Sequence, residues 1–138
     1  MGDFAREPPG RADVVVVGGG IAGAATAYHL ARLGVEVALL EGSEVGGGTT
    51  AAAVGVLSPP MRQPYHETVH DRGEAEAQQI WELALRSVKG LGEAMVELGA
   101  ADDAELDLSG GWMLAAPHTA HEMEDSFRAL RTAGFDVT

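Results

Sequence analysis

The period of the apolar positions changes twice within the first forty residues. Val14-Val15-Val16-Val17 is an unbroken β-branched run, the pattern of a short parallel strand buried on both faces. Gly18-Gly19-Gly20 ends it. Ile21 to Leu33 is then alanine-rich, with Gly34 placed where a helix stops. Val35 to Leu40 forms a second apolar run that ends at Glu41. Strand, glycine turn, helix and strand in this order predict a βαβ unit.

From Gly42 to Pro60 the chain is rich in glycine, threonine and alanine, and Pro59-Pro60 closes the segment. Helical spacing then resumes. Ile80, Ala84, Val88, Leu91, Met95 and Leu98 recur every three or four residues and form one stripe. Gly90 and Gly92 weaken its middle and predict a kink or two shorter helices. Leu106 to Leu108 and Trp112 to Ala116 predict short strands flanking Gly110-Gly111, with Trp112 in the core. Thr119 and Glu122 fit a capping box, with Glu124 and Asp125 adding favourable charge in the first turn. Ala120, Met123, Phe127 and Leu130 are the expected buried face of that helix, and Gly134 ends it. Residues 1–11, with Pro8, Pro9 and Gly10, read as a flexible leader, and no internal repeat is present.

Composition narrows the function classes. The 138 residues carry 9 Lys+Arg against 21 Asp+Glu, a net charge of −12. That balance argues against nucleic acid or an anionic membrane as partner, because phosphate surfaces are bound by clustered cations. There is no cysteine, which excludes disulfides, thiolate metal sites and thiol nucleophiles. Val14 to Ala27 superficially resembles a signal peptide, but Asp3, Glu7 and Asp13 dilute its basic flank and glycines interrupt it. Gly2 lacks the myristoylation pattern, since Arg6 stands where Ser or Thr is required. No apolar run approaches the ~20 residues that span a bilayer. A cytoplasmic protein is expected.

Gly18, Gly20 and Gly23 make G-x-G-x-x-G in the context that gives the motif meaning, after a strand and opening a helix. Gly18 permits the tight turn, Gly20 lets the backbone approach a pyrophosphate, and Gly23 allows the helix to lie close on the strand. Glu41 follows the second strand, about 20 residues on, where a carboxylate accepts ribose hydroxyls and repels a 2′-phosphate. The ligand is therefore the ADP half of a dinucleotide. Gly46-Gly47-Gly48-Thr49-Thr50 to Gly55 offers further amides and hydroxyls, which favours the longer FAD over NAD.

Val14 to Gly23, Tyr28-His29-Leu30-Ala31, Glu41 and Gly47 to Ala53 together resemble the D-amino acid oxidase family of flavoproteins, within it the glycine oxidase and sarcosine oxidase branch. The resemblance is strong over Asp13 to Leu57 and weaker at Lys89-Gly90-Leu91-Gly92 and at Gly110 to Ala115. It implies FAD contacts at Ile21, Ala22, Glu41, Gly42, Gly48, Thr49, Thr50, Val54, Gly55 and Val56. Val54 departs from the family, which usually has a small residue there. The implied reaction is oxidation of a small amino acid or N-methyl amine by hydride transfer to flavin, followed by imine hydrolysis. The catalytic residues are not identified by it.

His66-Glu67-Thr68-Val69-His70 matches H-E-x-x-H, and Glu76 offers a third ligand for zinc. Pro64 upstream and the lack of a substrate-edge strand favour the plainer reading, a polar start to the following helix. Arg62 and Tyr65 fit either a carboxylate pocket or a surface loop. His29 reads as a packing or surface residue, and His118 and His121 as solvated.

The expected fold is α/β, a Rossmann-like FAD-binding βαβ with the start of an α+β substrate domain. Residues 12–60 form the FAD part and residues 61–138 the helical segment leading into the second. Two good strands are fewer than a doubly wound domain needs, and the sequence stops four residues after Gly134. An incomplete fold is expected, completed by an oligomer or partner chain or representing the N-terminal part of a flavoenzyme. The alternatives are a non-catalytic remnant that binds cofactor or a partner, and a small zinc protein.

Overall fold

A computed structural model describes Glu7, residues 10–58 and residues 63–138. The expectations placed on Pro8, Pro9, Pro59, Pro60 and Arg62 lie outside the described residues, as does most of the leader. The chain divides after Val56 into two compact units.

The first unit contains β1 (Val14–Val17), α1 (Ile21–Arg32) and β2 (Val37–Leu40). The strands pair in parallel with Val14 opposite Val37 and Val17 opposite Leu40. Gly23, Ala27 and Leu30 recur at helical spacing and are half-buried, the stripe that α1 turns to the sheet. Val16 meets this stripe at Gly23. The helix ends in a Schellman arrangement. Gly34, at φ +80°, donates its N–H to Ala31, and the Val35 N–H reaches Leu30.

The expectation that β1 is buried on both faces is not met. Val15 and Val17 remain 53% and 83% exposed. Successive strand residues point to opposite faces, and among the described residues α1 packs on one face alone.

The second unit is helical: α2 (Tyr65–Arg72), α3 (Glu74–Glu97) and α4 (Ala120–Thr132). Its core is Tyr65, Ala77, Trp81 and Leu130, with Phe135 packed against it. The three rings meet at an angle, Tyr65 with its centroid 5.2 Å from Trp81 and 5.8 Å from Phe135. Edge-to-face pairs of this kind add about 0.5–1.5 kcal/mol each beyond area burial. Phe135 reaches the core because α4 also ends in a Schellman turn: its own N–H bonds to Leu130, with Gly134 at φ +86°. Among the described residues, no helix is long and apolar enough to cross a membrane.

Several expectations for this unit are corrected. The apolar stripe forms one continuous helix, α3, despite Gly90 and Gly92. Gly92 is buried, and a Cβ there would lie 2.6 Å from the Leu108 side chain, so the missing side chain makes room for a packing contact. The stripe's buried centre lies further back, at Ala77 and Trp81, while Leu98 is 62% exposed. Leu106 to Leu108 and Trp112 to Ala116 form no strand, and Trp112 is 90% exposed rather than core. A strand needs a partner for its backbone groups, and the described residues supply none. The capping box does not form. Thr119 donates its hydroxyl to Ala116 instead and makes no side-chain cap. The buried face of α4 is only partly the expected one: Leu130 is buried and Met123 half-buried, but Ser126 is buried as well and Ala120 and Phe127 are exposed.

Candidate functional site

The Gly18 N–H donates to the Leu40 carbonyl at 2.7 Å, one step beyond the paired strands. The glycine turn therefore leaves the sheet beside the end of β2, where Glu41 begins the next loop. Gly18 takes φ +100°, a conformation L side chains avoid. A Cβ on Gly23 would stand 1.9 Å from the Gly18 carbonyl oxygen. No residue but glycine fits that crossing of helix over turn.

Three main-chain N–H groups here are held by side chains from elsewhere. Gly19 is buried, and its N–H donates to Glu41 Oε2 at 2.7 Å. The Ser43 N–H donates to Oε1 of the same carboxylate at 2.9 Å. Gly20, the first cap position of α1, has no side chain to offer. The Ile21 N–H donates instead to Thr50 Oγ1 at 3.0 Å, from 29 residues downstream. A main-chain bond from Gly46 N–H to the Gly19 carbonyl, 2.9 Å, fastens the second glycine loop to the first. The N–H donors of Gly19 and then Ser43 hold the Glu41 carboxyl below its ordinary value of 4.5, so it is ionised at neutral pH.

Gly20, Glu41, Ser43, Glu44 and residues 46–50 line a cavity of about 340 Å³. That is the lower end of the range for small-molecule pockets. Its lining combines the carboxylates of Glu41 and Glu44 with the hydroxyls of Thr49 and Thr50, and both Glu41 and Thr50 bond the turn that opens α1. The ionised carboxylate can accept from a vicinal diol, and the helix end favours an anion. These residues fit the ADP portion of a dinucleotide.

Of the residues expected from sequence, Gly20, Glu41, Gly48, Thr49 and Thr50 line this cavity. Gly18, Ile21, Ala22 and Gly23 frame the turn and the helix start, and Gly42 lies between the two ends of the Glu41 clamp. Val54, Gly55 and Val56 are not brought to it, and Val54 and Val56 are 89% and 67% exposed. Gly19, Ser43 and Glu44 are additions that sequence reasoning missed. Gly19 occupies a variable position of the glycine motif, and its role follows from where Glu41 folds back.

The H-E-x-x-H residues lie on α2, but they are used differently. His66 Nδ1 lies 3.0 Å from the buried Ser126 hydroxyl of α4, and Glu76 pairs with Arg72. Among the described residues, no group of three His, Asp or Glu side chains is placed to hold a metal ion. Tyr65, a candidate for a carboxylate pocket or surface loop, is a core residue at 2% exposure. His29, His118 and His121 are exposed, as expected.

Comparison with known proteins identifies the family. The family model for FAD dependent oxidoreductases of the DAO type matches residues 13–138. The chain is 38% identical over 93 residues to glycine oxidase of Bacillus subtilis, covering 65% of this chain and 22% of that protein. It is 51% identical over 47 residues to glycine oxidase of Bacillus licheniformis, covering 34% of this chain and 13% of that protein. Against mitochondrial dimethylglycine dehydrogenase of Rattus norvegicus the identity is 49% over 49 residues, covering 35% of this chain and 6% of that protein. The chain thus spans 22% or less of the length of these relatives. No solved structure matches it at a significant level. With the family model covering nearly its whole length, the chain belongs to the DAO family of FAD-dependent oxidoreductases and is glycine oxidase-like.

Proposed function

We propose that the first unit holds the ADP half of FAD, and that the chain contributes this site to an enzyme oxidising a small amino acid or N-methyl amine. The observation that carries the reading is the joining of the α1 N-terminus, Thr49, Thr50 and an ionised Glu41 in one cavity. Glu41 accepts the adenosine ribose hydroxyls with the lone pairs that Gly19 and Ser43 leave free. Glu44 stands beside it, so a 2′-phosphate meets two carboxylates and FAD or NAD is favoured over NADP. The N-terminus of α1 takes the pyrophosphate.

The substrate class rests on the relatives, named for glycine and dimethylglycine. The flavin would accept a hydride from the carbon beside the substrate nitrogen, leaving an imine that water cleaves. This chain's own residues bind and orient the cofactor's nucleotide end. Turnover is assigned to the additional length of the relatives, supplied by the rest of a longer chain or by a partner subunit.

Titration of the 138-residue chain with FAD and with ADP, followed by flavin fluorescence and calorimetry, tests the reading. One equivalent of either is expected to bind, with NADPH failing to compete. No hydrogen peroxide is expected from the bound form with glycine or sarcosine. A chain that ignores both nucleotides would overturn the proposal.

A further inference from the structure

We propose that Thr50 is an exchangeable cap on α1. Its hydroxyl oxygen accepts the Ile21 N–H. When a pyrophosphate arrives, the N–H passes to a phosphate oxygen, and the Thr50 hydroxyl turns from acceptor to donor toward the same anion. This rests on the nucleotide reading above.

The argument begins with what an N-terminal helix amide lacks. The first N–H groups of a helix have no acceptor within it. The cap position of α1 is Gly20, with no side chain, so the Ile21 N–H is served from outside by Thr50 at 3.0 Å. That N–H has one hydrogen, and one well-aligned acceptor saturates it. Thr50 and a phosphate oxygen therefore compete for the same position. Glu41 stands in contrast: each of its oxygens retains a lone pair after accepting from Gly19 and Ser43, so it can share and need not move.

The exchange is local. The second glycine loop is fastened by its own main chain, through Gly46 N–H to the Gly19 carbonyl and Ala51 N–H to the Gly46 carbonyl, each at 2.9 Å. Release of Ile21 needs a turn of the Thr50 side chain, not departure of the loop. A threonine hydroxyl also carries its own hydrogen, so the group that loses the N–H can still bond the anion that took it. The Ile21 N–H then has an acceptor in both states, the Thr50 hydroxyl in one and the phosphate oxygen in the other.

The test is amide-proton exchange by NMR at Ile21 in the full chain, comparing wild type, Thr50→Val and Thr50→Ser, without nucleotide and with saturating ADP. Without nucleotide, Thr50→Val should exchange about tenfold faster at Ile21 than wild type, and Thr50→Ser should stay within about threefold. With ADP bound, the three should converge. Equal rates for Thr50→Val and wild type without nucleotide would overturn the proposal, as would a gap that persists with ADP bound. A second measurement needs no variant: the Ile21 amide resonance of wild type should shift with ADP and not with adenosine. ADP binding that leaves this resonance in place defeats the exchange alone, whereas absence of ADP binding defeats the nucleotide reading and the exchange with it.

Discussion

The two units of the chain devote their residues to opposite ends. In the first, the tightest contacts are made by backbone: Gly23 against the Gly18 carbonyl, Gly19 on Glu41, Gly46 on Gly19. In the second the core is made by rings, Tyr65, Trp81 and Phe135, around Leu130. A polar ligand is recognised by exposed amides, which require small residues. A stable core requires large ones. The first unit is accordingly a candidate site with little core, and the second a core of packed rings.

The comparison is broken most severely from the second side. Trp81→Ala removes the centre of the aromatic cluster, and substitutions of this kind in cores cost about 3–5 kcal/mol. Far-UV circular dichroism should show loss of the helical signal of α2 to α4. ADP titration of the same variant sharpens the contrast. An affinity within about twofold of wild type would mean that the site does not draw on this core, as additivity for uncoupled positions expects. A joint loss would erase the distinction.

Gly23→Ala comes next. Its methyl group must displace main chain rather than a pliable side chain, an overpacking that costs about 1–3 kcal/mol or more. The expected result is loss of ADP and FAD binding in calorimetry with the helical signal largely retained. Binding at wild-type affinity would show that the turn relaxes around the methyl group.

The smallest effect is electrostatic. The folded chain holds the Glu41 carboxyl below 4.5, so the stability it contributes is present above that pH and fades as pH falls through the lower, folded value. Glu41→Gln should flatten this part of the acid-unfolding curve. Both carboxylate oxygens face an N–H donor, so the glutamine amide must turn its NH₂ toward one of them. Nucleotide affinity should fall as well. An acid limb identical to wild type would assign that part of the curve to other carboxylates, such as Asp107, lowered by the Ser109 N–H.

The same division explains what could be read in advance. The βαβ unit was legible because its signals are local: a β-branched run, glycines at fixed spacing, and Gly34 at a helix end. Gly134 was legible for the same reason. Ser126 was not, because a serine beside Asp125 reads as exposed until His66, 60 positions away, is known to meet it. Ser126 is buried at that contact, while Phe127 next to it is exposed. Residues 106–116 misled for a related reason, since alternation announces a strand but the partner strand decides whether one forms. At the site, Glu41 and Thr50 were legible as residue types. Their bonds to Gly19 and Ile21 were not, because loop closure fixed both.

The exposed face of β1 carries a thermodynamic consequence. Among the described residues, Val15 and Val17 leave the two-stranded sheet covered on one side, and so small a sheet is marginal without further packing. A ligand that binds the folded form alone then becomes part of the folding equilibrium. By mass action, free nucleotide at a hundred times Kd adds about 2.7 kcal/mol, and depletion withdraws it. Under the proposed nucleotide reading, ligand concentration would govern how much of this unit is folded as well as how much is occupied.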